Sequence, residues 1–259
     1  MIRQQGFSLV ELMVALILGL LVTLAAVGLF NTNQRSFQLQ MALSEVQETG
    51  RFTLDYIARD LRKAGTPTPG LIRPNTIVRA SIADNTNVDG TVQDVLVFQF
   101  YGIRDCEGDV APGATQASPA LITNRYDVRV NAEGVRELFC QGSVDAGSTG
   151  SALIAGVDSF QVLYGVDRSV SGGAAEDGVP FAGNYLKASQ LGASDIVVAV
   201  RVGLLVRTEE EVVGLTESNV GFTVLDQVLN AGQGVLTEPR VRRLFTTTVA
   251  IRNQDWEEI

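Results

Sequence analysis

An α+β fold, one long N-terminal helix packed on a mainly antiparallel β-sheet domain, is predicted by three features of the 259-residue sequence. Residues 7–30 carry a single charged side chain, Glu11. Residues 31–65 continue without a proline and space their apolar side chains for a helix. From about residue 66 the apolar residues alternate instead, and Gly-, Ser- and Ala-rich stretches separate the alternating runs.

Composition narrows the function. The formal charge is −9 with a pI near 4.6, which argues against nucleic-acid binding as the main task, because that work needs a basic surface. Histidine is absent, so mechanisms built on a His base or a His metal ligand are excluded. No GxxxxGK[ST] occurs, and the loop at Gly172 and Gly173 has no lysine, so nucleotide binding has no support.

The first helical half is about 24 residues long, enough at ~1.5 Å per residue to cross a ~30 Å hydrocarbon layer. Arg3 and the amine lie on its short side, which predicts export of the residues beyond the helix. A carboxylate in such a run costs up to a few kcal/mol on insertion, and neither a signal peptide nor a plain anchor needs it.

The amphipathic half carries Leu39, Leu43, Val46, Leu54, Ile57 and Leu61 on helical spacing. It is predicted to end at Gly65, with Arg59, Arg62 and Lys63 in the last turns and Pro67 beyond. Gly19 and Gly28 each weaken the apolar half by about 1 kcal/mol relative to alanine. Strands are predicted at 76–83, 94–101, 121–130, 135–140, 157–166, 195–208 and 242–252. In "DIVVAVRVGLLVRT", Ile196, Val198, Val200, Val202, Leu204 and Val206 share one face, which the amphipathic helix is expected to cover, while Arg201 and Arg207 point to the other.

Cys106 and Cys140 are the only cysteines, and an exported location predicts a disulfide between them. "NTNVDG", residues 85–90, has the opening of a calcium loop, but its closing acid would fall at Leu96; it reads as a turn. Asp105, Glu107 and Asp109 read as solvated loop acids and Trp256 as a cover for a sheet end. Arg201, Arg242 and Arg243 either form a basic face or pair with local acids. No metal, cofactor or catalytic residue is assigned.

"GFSLVELMVALILGLL" resembles the class III leader of type IV pilins and type II secretion pseudopilins: a short basic leader ending in Gly, then Phe, then Glu four residues later. The resemblance implies prepilin peptidase cleavage between Gly6 and Phe7, N-methylation of Phe7, and pairing of Glu11 with such an amine on a neighbouring subunit. "RFTLDYIARDLRKAG", "FQVLYGVD", "VVAVRVGLLVR" and "RRLFTTTVAIRN" resemble the PilW-type minor pilins. The resemblance implies a pilin-like fold, with a leader at 1–6, a transmembrane and assembly helix at 7–30, its amphipathic half at 31–65 and an exported domain at 66–259.

The implied function is structural: a minor pilin in an assembly-initiating or tip complex supporting pilus biogenesis, motility and adhesion. The implied partners are other minor pilins, the major pilin, prepilin peptidase, the inner-membrane assembly machinery and a tip adhesin. The implied location is the inner membrane, with a periplasmic C-terminal domain, and the pilus after assembly. The alternative is a minor pseudopilin of type II secretion; a pilin-leader-anchored enzyme or binding domain is disfavoured by the lack of histidine and the 7% aromatic content.

Overall fold

The structure is a computed structural model that describes residues 8–70, 77–78, 81–88, 91–168, 181–192, 195–212, 220–231 and 234–253. The predicted features at Gly6, Phe7, Gly172, Gly173 and Trp256 lie outside these residues.

Helix α1 (Leu9–Leu61) runs unbroken through Gly19 and Gly28. No proline interrupts its ladder of backbone bonds. It ends four residues before the predicted Gly65 because the chain tightens: Lys63 N–H donates to Asp60 O at 2.9 Å and Ala64 N–H to Leu61 O at 3.0 Å, both three residues back. Gly65 then takes the left-handed conformation (φ 77°), and its N–H joins the sheet at Gln99 O, 2.9 Å away. Asn253 closes the helix end from 191 residues away, donating to Arg62 O at 2.7 Å.

The strands β1 (Ala83–Val88), β2 (Thr91–Gly102), β3 (Ala120–Val130), β4 (Arg136–Gly142) and β5 (Ser151–Ala155) form a five-stranded antiparallel sheet in chain order. After β6 (Val157–Asp167), β7 (Asn184–Leu186) and β8 (Ile196–Arg207), the strands β9 (Phe222–Val224) and β10 (Gln227–Leu229) make a separate hairpin. The last strand, β11 (Arg242–Ala250), completes a second antiparallel sheet of order β11-β8-β6-β7.

Gly156 is where the chain passes between the sheets. Its N–H donates to Arg136 O at 3.0 Å and its carbonyl accepts from Arg207 N–H at 2.8 Å, at φ 74°. A β-carbon there would stand 2.6 Å from the Arg207 carbonyl oxygen, so only glycine fits without a shift.

One core joins all the layers: Val46, Leu54, Ile57 and Leu61 of α1 meet Phe98 and Phe100 of β2, Phe160 and Val162 of β6, and Val200, Val202 and Leu204 of β8. The predicted helix stripe begins too early, since Leu39 and Leu43 stay exposed and continuous burial starts near Val46. The far face of β8 is also covered, against expectation. Leu205 packs with Val224 and Leu236, and Gly203 admits the Leu225 side chain, whose backbone is left-handed at φ 54°. Arg207 is also buried, beside Asp158 and Glu238.

Two sequence expectations are corrected. Of the strand placed at 76–83, the described residues show only an isolated bridge from Ile77 to Phe98 and the first residue of β1, Ala83; residues 76, 79 and 80 lie outside the described residues. Of the stretch read as a turn at 85–90, residues 85–88 belong to β1, with Val88 opposite Thr91, and residues 89–90 lie outside the described residues. Polar residues are tolerated there because β1 ends its sheet. The short strands β5, β7, β9 and β10 carry too few alternating apolar residues to be predicted.

Candidate assembly interface

The exposed half of α1 begins with a cap. Ser8 has extended backbone geometry, and its hydroxyl accepts the Glu11 N–H at 3.2 Å. The Ser8-x-x-Glu11 spacing is that of a capping box, a sequence signal masked by the apolar run around it, and it puts the Glu11 carboxylate in the first turn, where the helix dipole favours an anion. Among the described residues this carboxylate has no hydrogen-bond or ion-pair partner.

From Leu9 to Met41 every residue of α1 is exposed, and the helix holds a window of mean hydropathy 2.8, long and apolar enough to cross a membrane. The Thr23 and Thr32 hydroxyls donate to the Gly19 and Gly28 carbonyls at 2.6 and 3.0 Å. Neither glycine has an atom within 4 Å of where a β-carbon would stand, so packing within this chain does not require either of them. An apolar surface of this length is a contact surface for lipid or other helices.

The other half of α1 is locked to the domain by a polar network. Asp60, 5% exposed, accepts from Asn124 Nδ2 at 2.6 Å, Tyr126 Oη at 2.7 Å and Lys63 Nζ at 2.8 Å. Asn124 Oδ1 accepts the Cys106 N–H, and Tyr56 Oη donates to the Cys106 carbonyl. Burial first, and then the Asp60 charge and hydrogen bond, hold the Tyr126 hydroxyl well above its usual pKa.

Cys106 and Cys140 form a disulfide with their Cα atoms 6.3 Å apart, as predicted for an exported chain. The acids around Cys106 are not idle on a solvated loop. Asp105 Oδ1 accepts the N–H groups of Glu107 and Asp109 at 3.0 Å each. Glu107 accepts the Gly142 N–H at 2.8 Å and the Ser148 and Ser151 hydroxyls at 2.8 and 3.0 Å. Carboxylate oxygens of Asp105, Glu107 and Asp109 do lie within 4.8 Å of one another. Those of Asp105 and Glu107 are already committed to folding the loop that carries the disulfide.

A second buried cluster joins the sheets. Asp158 on β6 is fully buried and meets Arg136 Nη2 of β4 at 2.9 Å and Arg242 Nε of β11 at 2.7 Å. Arg207 Nε of β8 lies 3.2 Å away without the alignment of a hydrogen bond. Burial lowers the Arg207 pKa, against the opposing pull of Asp158 and Glu238. Of the three arginines left between two readings, Arg242 thus pairs with an acid. Arg201 stacks on the Tyr185 ring, 3.9 Å from its centroid, and Arg243 is exposed.

A membrane-competent helix with a capped start and a lone acid, continuing into a half that is bonded to two antiparallel sheets, defines a type IV pilin-like subunit. The sequence profile described as "Prokaryotic N-terminal methylation motif" matches residues 1–27, and that described as "Type IV Pilus-assembly protein W" matches residues 125–253. The chain belongs to this PilW-type family of type IV pilus minor pilins. A type IV-like pilin from Thermus thermophilus aligns over 80% of this chain and 95% of its own, with 16% identity and a TM-score of 0.40. No curated protein matches the chain.

Proposed function

We propose that the protein is a minor pilin of an assembly-initiating or tip complex, serving pilus biogenesis and through it motility and adhesion. The observation that carries the reading is the bare first half of α1, on which Glu11 is the only charge from residue 7 to residue 34. A lone acid in a low-dielectric helix bundle is costly by itself and strongly attracted to an opposite charge, so it selects one axial register between neighbours. The partner charge is the methylated amine of Phe7 on the adjacent subunit, released when prepilin peptidase cuts after Gly6.

In this reading residues 1–6 are the leader, 7–30 the membrane and assembly helix, 31–65 its amphipathic half and 66–259 the periplasmic domain. The unassembled protein resides in the inner membrane, contacts the assembly machinery there, and enters the pilus with other minor pilins and the major pilin. A tip adhesin is a further partner. The role is structural; the protein has no catalytic part in this scheme.

The test is complementation of a strain lacking the gene with the wild-type, Glu11→Gln and Glu11→Asp chains. Glu11→Gln is expected to reach the membrane and be processed but to leave few surface pili, and Glu11→Asp to restore part of the wild-type number. Wild-type piliation with Glu11→Gln would remove charge pairing from the reading. Loss of protein secretion with normal pili would replace a pilus role by a pseudopilin role.

A further inference from the structure

The two sheets end in β1 and β5, and in β7 and β11. Natural proteins blunt such edges by shortness, bulges, covering elements, charged side chains, lysine above all, or proline. β7 has three residues; β5 has five and lies beside α1; β1 shifts register between Ala83 and Thr86. β11 is neither short nor bulged; α1 packs on its face through Phe245, and its charged residues, Arg242 and Arg243, stand only at its first two positions. Its nine residues pair with β8 in unbroken register, from Arg242 opposite Arg207 to Ala250 opposite Ala199, and include no proline and no lysine but three successive threonines.

The ladder sides can be assigned. Just beyond its two ends, Thr208 N–H donates to Val241 O and Ile251 N–H to Val198 O. In an antiparallel pair the bonded positions recur every second residue, so Arg243, Phe245, Thr247 and Val249 bond to β8. Leu244, Thr246, Thr248 and Ala250 turn their N–H and C=O groups outward. Those outward groups have no partner among the described residues, and Thr246, Thr248 and Ala250 are exposed.

Charge indicates what covers the edge. In a chain of net charge −9, the segment 241–253 contains no acid and three arginines, of which Arg242 is buried against Asp158. Arg243 and Arg252, which flank the edge, are exposed. A second copy of β11 running antiparallel would bring the arginines of the two copies together, and like charges across strands are unfavourable. An acid-bearing strand is complementary. The edge also adjoins the assembly helix, since Phe245 of β11 lies on Gly50 of α1.

We infer that the free edge of β11 takes an added β-strand from another pilus subunit, one with carboxylates placed opposite Arg243 and Arg252. The inference rests on the proposed pilus role and adds to helix packing a backbone-mediated contact between domains.

The test uses the full-length protein in cells making pili. Thr246→Pro and Thr248→Pro each delete one outward N–H and leave the β8 ladder intact, because proline is tolerated on an edge strand whose N–H faces away from its sheet. Each is expected to lower incorporation into sheared pili roughly tenfold, while Thr248→Val, which keeps the backbone donor, incorporates as wild type. A photo-crosslinking residue at position 246 or 248 is expected to capture an acidic, extended segment of another pilus subunit, the captured site moving by two residues between the two positions.

Full incorporation of the proline variants, capture of a second copy, or no capture from pili that contain the protein would overturn the inference. Should a proline variant fail to accumulate, the crosslinks decide, since they need no proline. Leader cleavage is read in the same samples. A processed wild-type chain in pili with an indifferent edge removes only this inference, whereas a wild-type chain absent from pili removes the proposed role and this inference with it.

Discussion

Gly50 of α1 lies directly under the ring of Phe245 on β11, so closely that a β-carbon at position 50 would fall within the ring's own envelope. The absent side chain thus sets how near the helix comes to the sheet. Gly50→Leu gains about 1 kcal/mol in helix propensity. The overpacking it creates costs about 1–3 kcal/mol and is expected to dominate. Urea unfolding should show a net loss, with Gly50→Leu/Phe245→Ala less destabilised than the sum of the two single variants.

Asp60 is the acceptor on which the helix end is hung. Asp60→Ala leaves the buried Tyr126 hydroxyl and Asn124 amide without it, at about 1–3 kcal/mol for each stranded donor. The expected result is a total loss of about 3 kcal/mol in denaturant unfolding, with the disulfide still formed. Retention of wild-type stability would mean that the network does not hold the helix end.

The same network predicts an alkaline limit. Burial, with Asp60 beside it, raises the Tyr126 pKa in the folded state, and burial, with Asp94 and Asp84, raises that of Tyr164. Below the unfolded tyrosine pKa of about 10 both states keep these protons; above it the unfolded chain releases them first, so stability falls as pH rises. Tyr126→Phe is expected to lower stability at neutral pH and to make the alkaline fall shallower. An unchanged slope would contradict the assignment.

Asp158 sits under the guanidiniums of Arg136, Arg207 and Arg242, drawn from three strands of the two sheets. Removing this fully buried anion takes a counter-charge from all three, and Asp158→Ala is expected to cost about 3–5 kcal/mol or to prevent accumulation. Adding Arg242→Met should restore part of the loss, measured as a coupling energy in a double-mutant cycle.

The disulfide closes a loop of sequence separation 34, which is worth about 3–4 kcal/mol in the chain-entropy model. Stability in the presence of a reductant, or of the Cys106→Ala/Cys140→Ala variant, is expected to fall by that amount in denaturant unfolding. The helix should remain, because its core partners Phe160, Val200 and Val202 lie on strands that carry neither cysteine.

The strong signals in the sequence were those with a long period or a rare residue. The unbroken helix, the two alternating strands that became β6 and β8, and the lone Glu11 were legible because each repeats a burial pattern over many residues or violates one. The cysteine pair was legible because exported chains oxidise. The roles of Asp60, Asp158 and Gly50 were not legible, because each depends on residues far away in the chain that only the packed sheets bring near. The capping role of Ser8 was legible in principle from its spacing to Glu11, but the apolar run around it points to the membrane instead. β1 was misplaced because an edge strand needs little apolar alternation, and Arg207 because its acidic neighbours Asp158 and Glu238 are far away in the chain.

In the proposed role, everything depends on the chain entering a pilin assembly line at its leader. Intact mass and N-terminal sequencing of the protein from membranes, with and without prepilin peptidase, test this most directly. Loss of residues 1–6 and a methylated Phe7 amine are predicted only where the peptidase is present. A chain uncut in both strains, or cut near Gly28 in both, would contradict the proposed role.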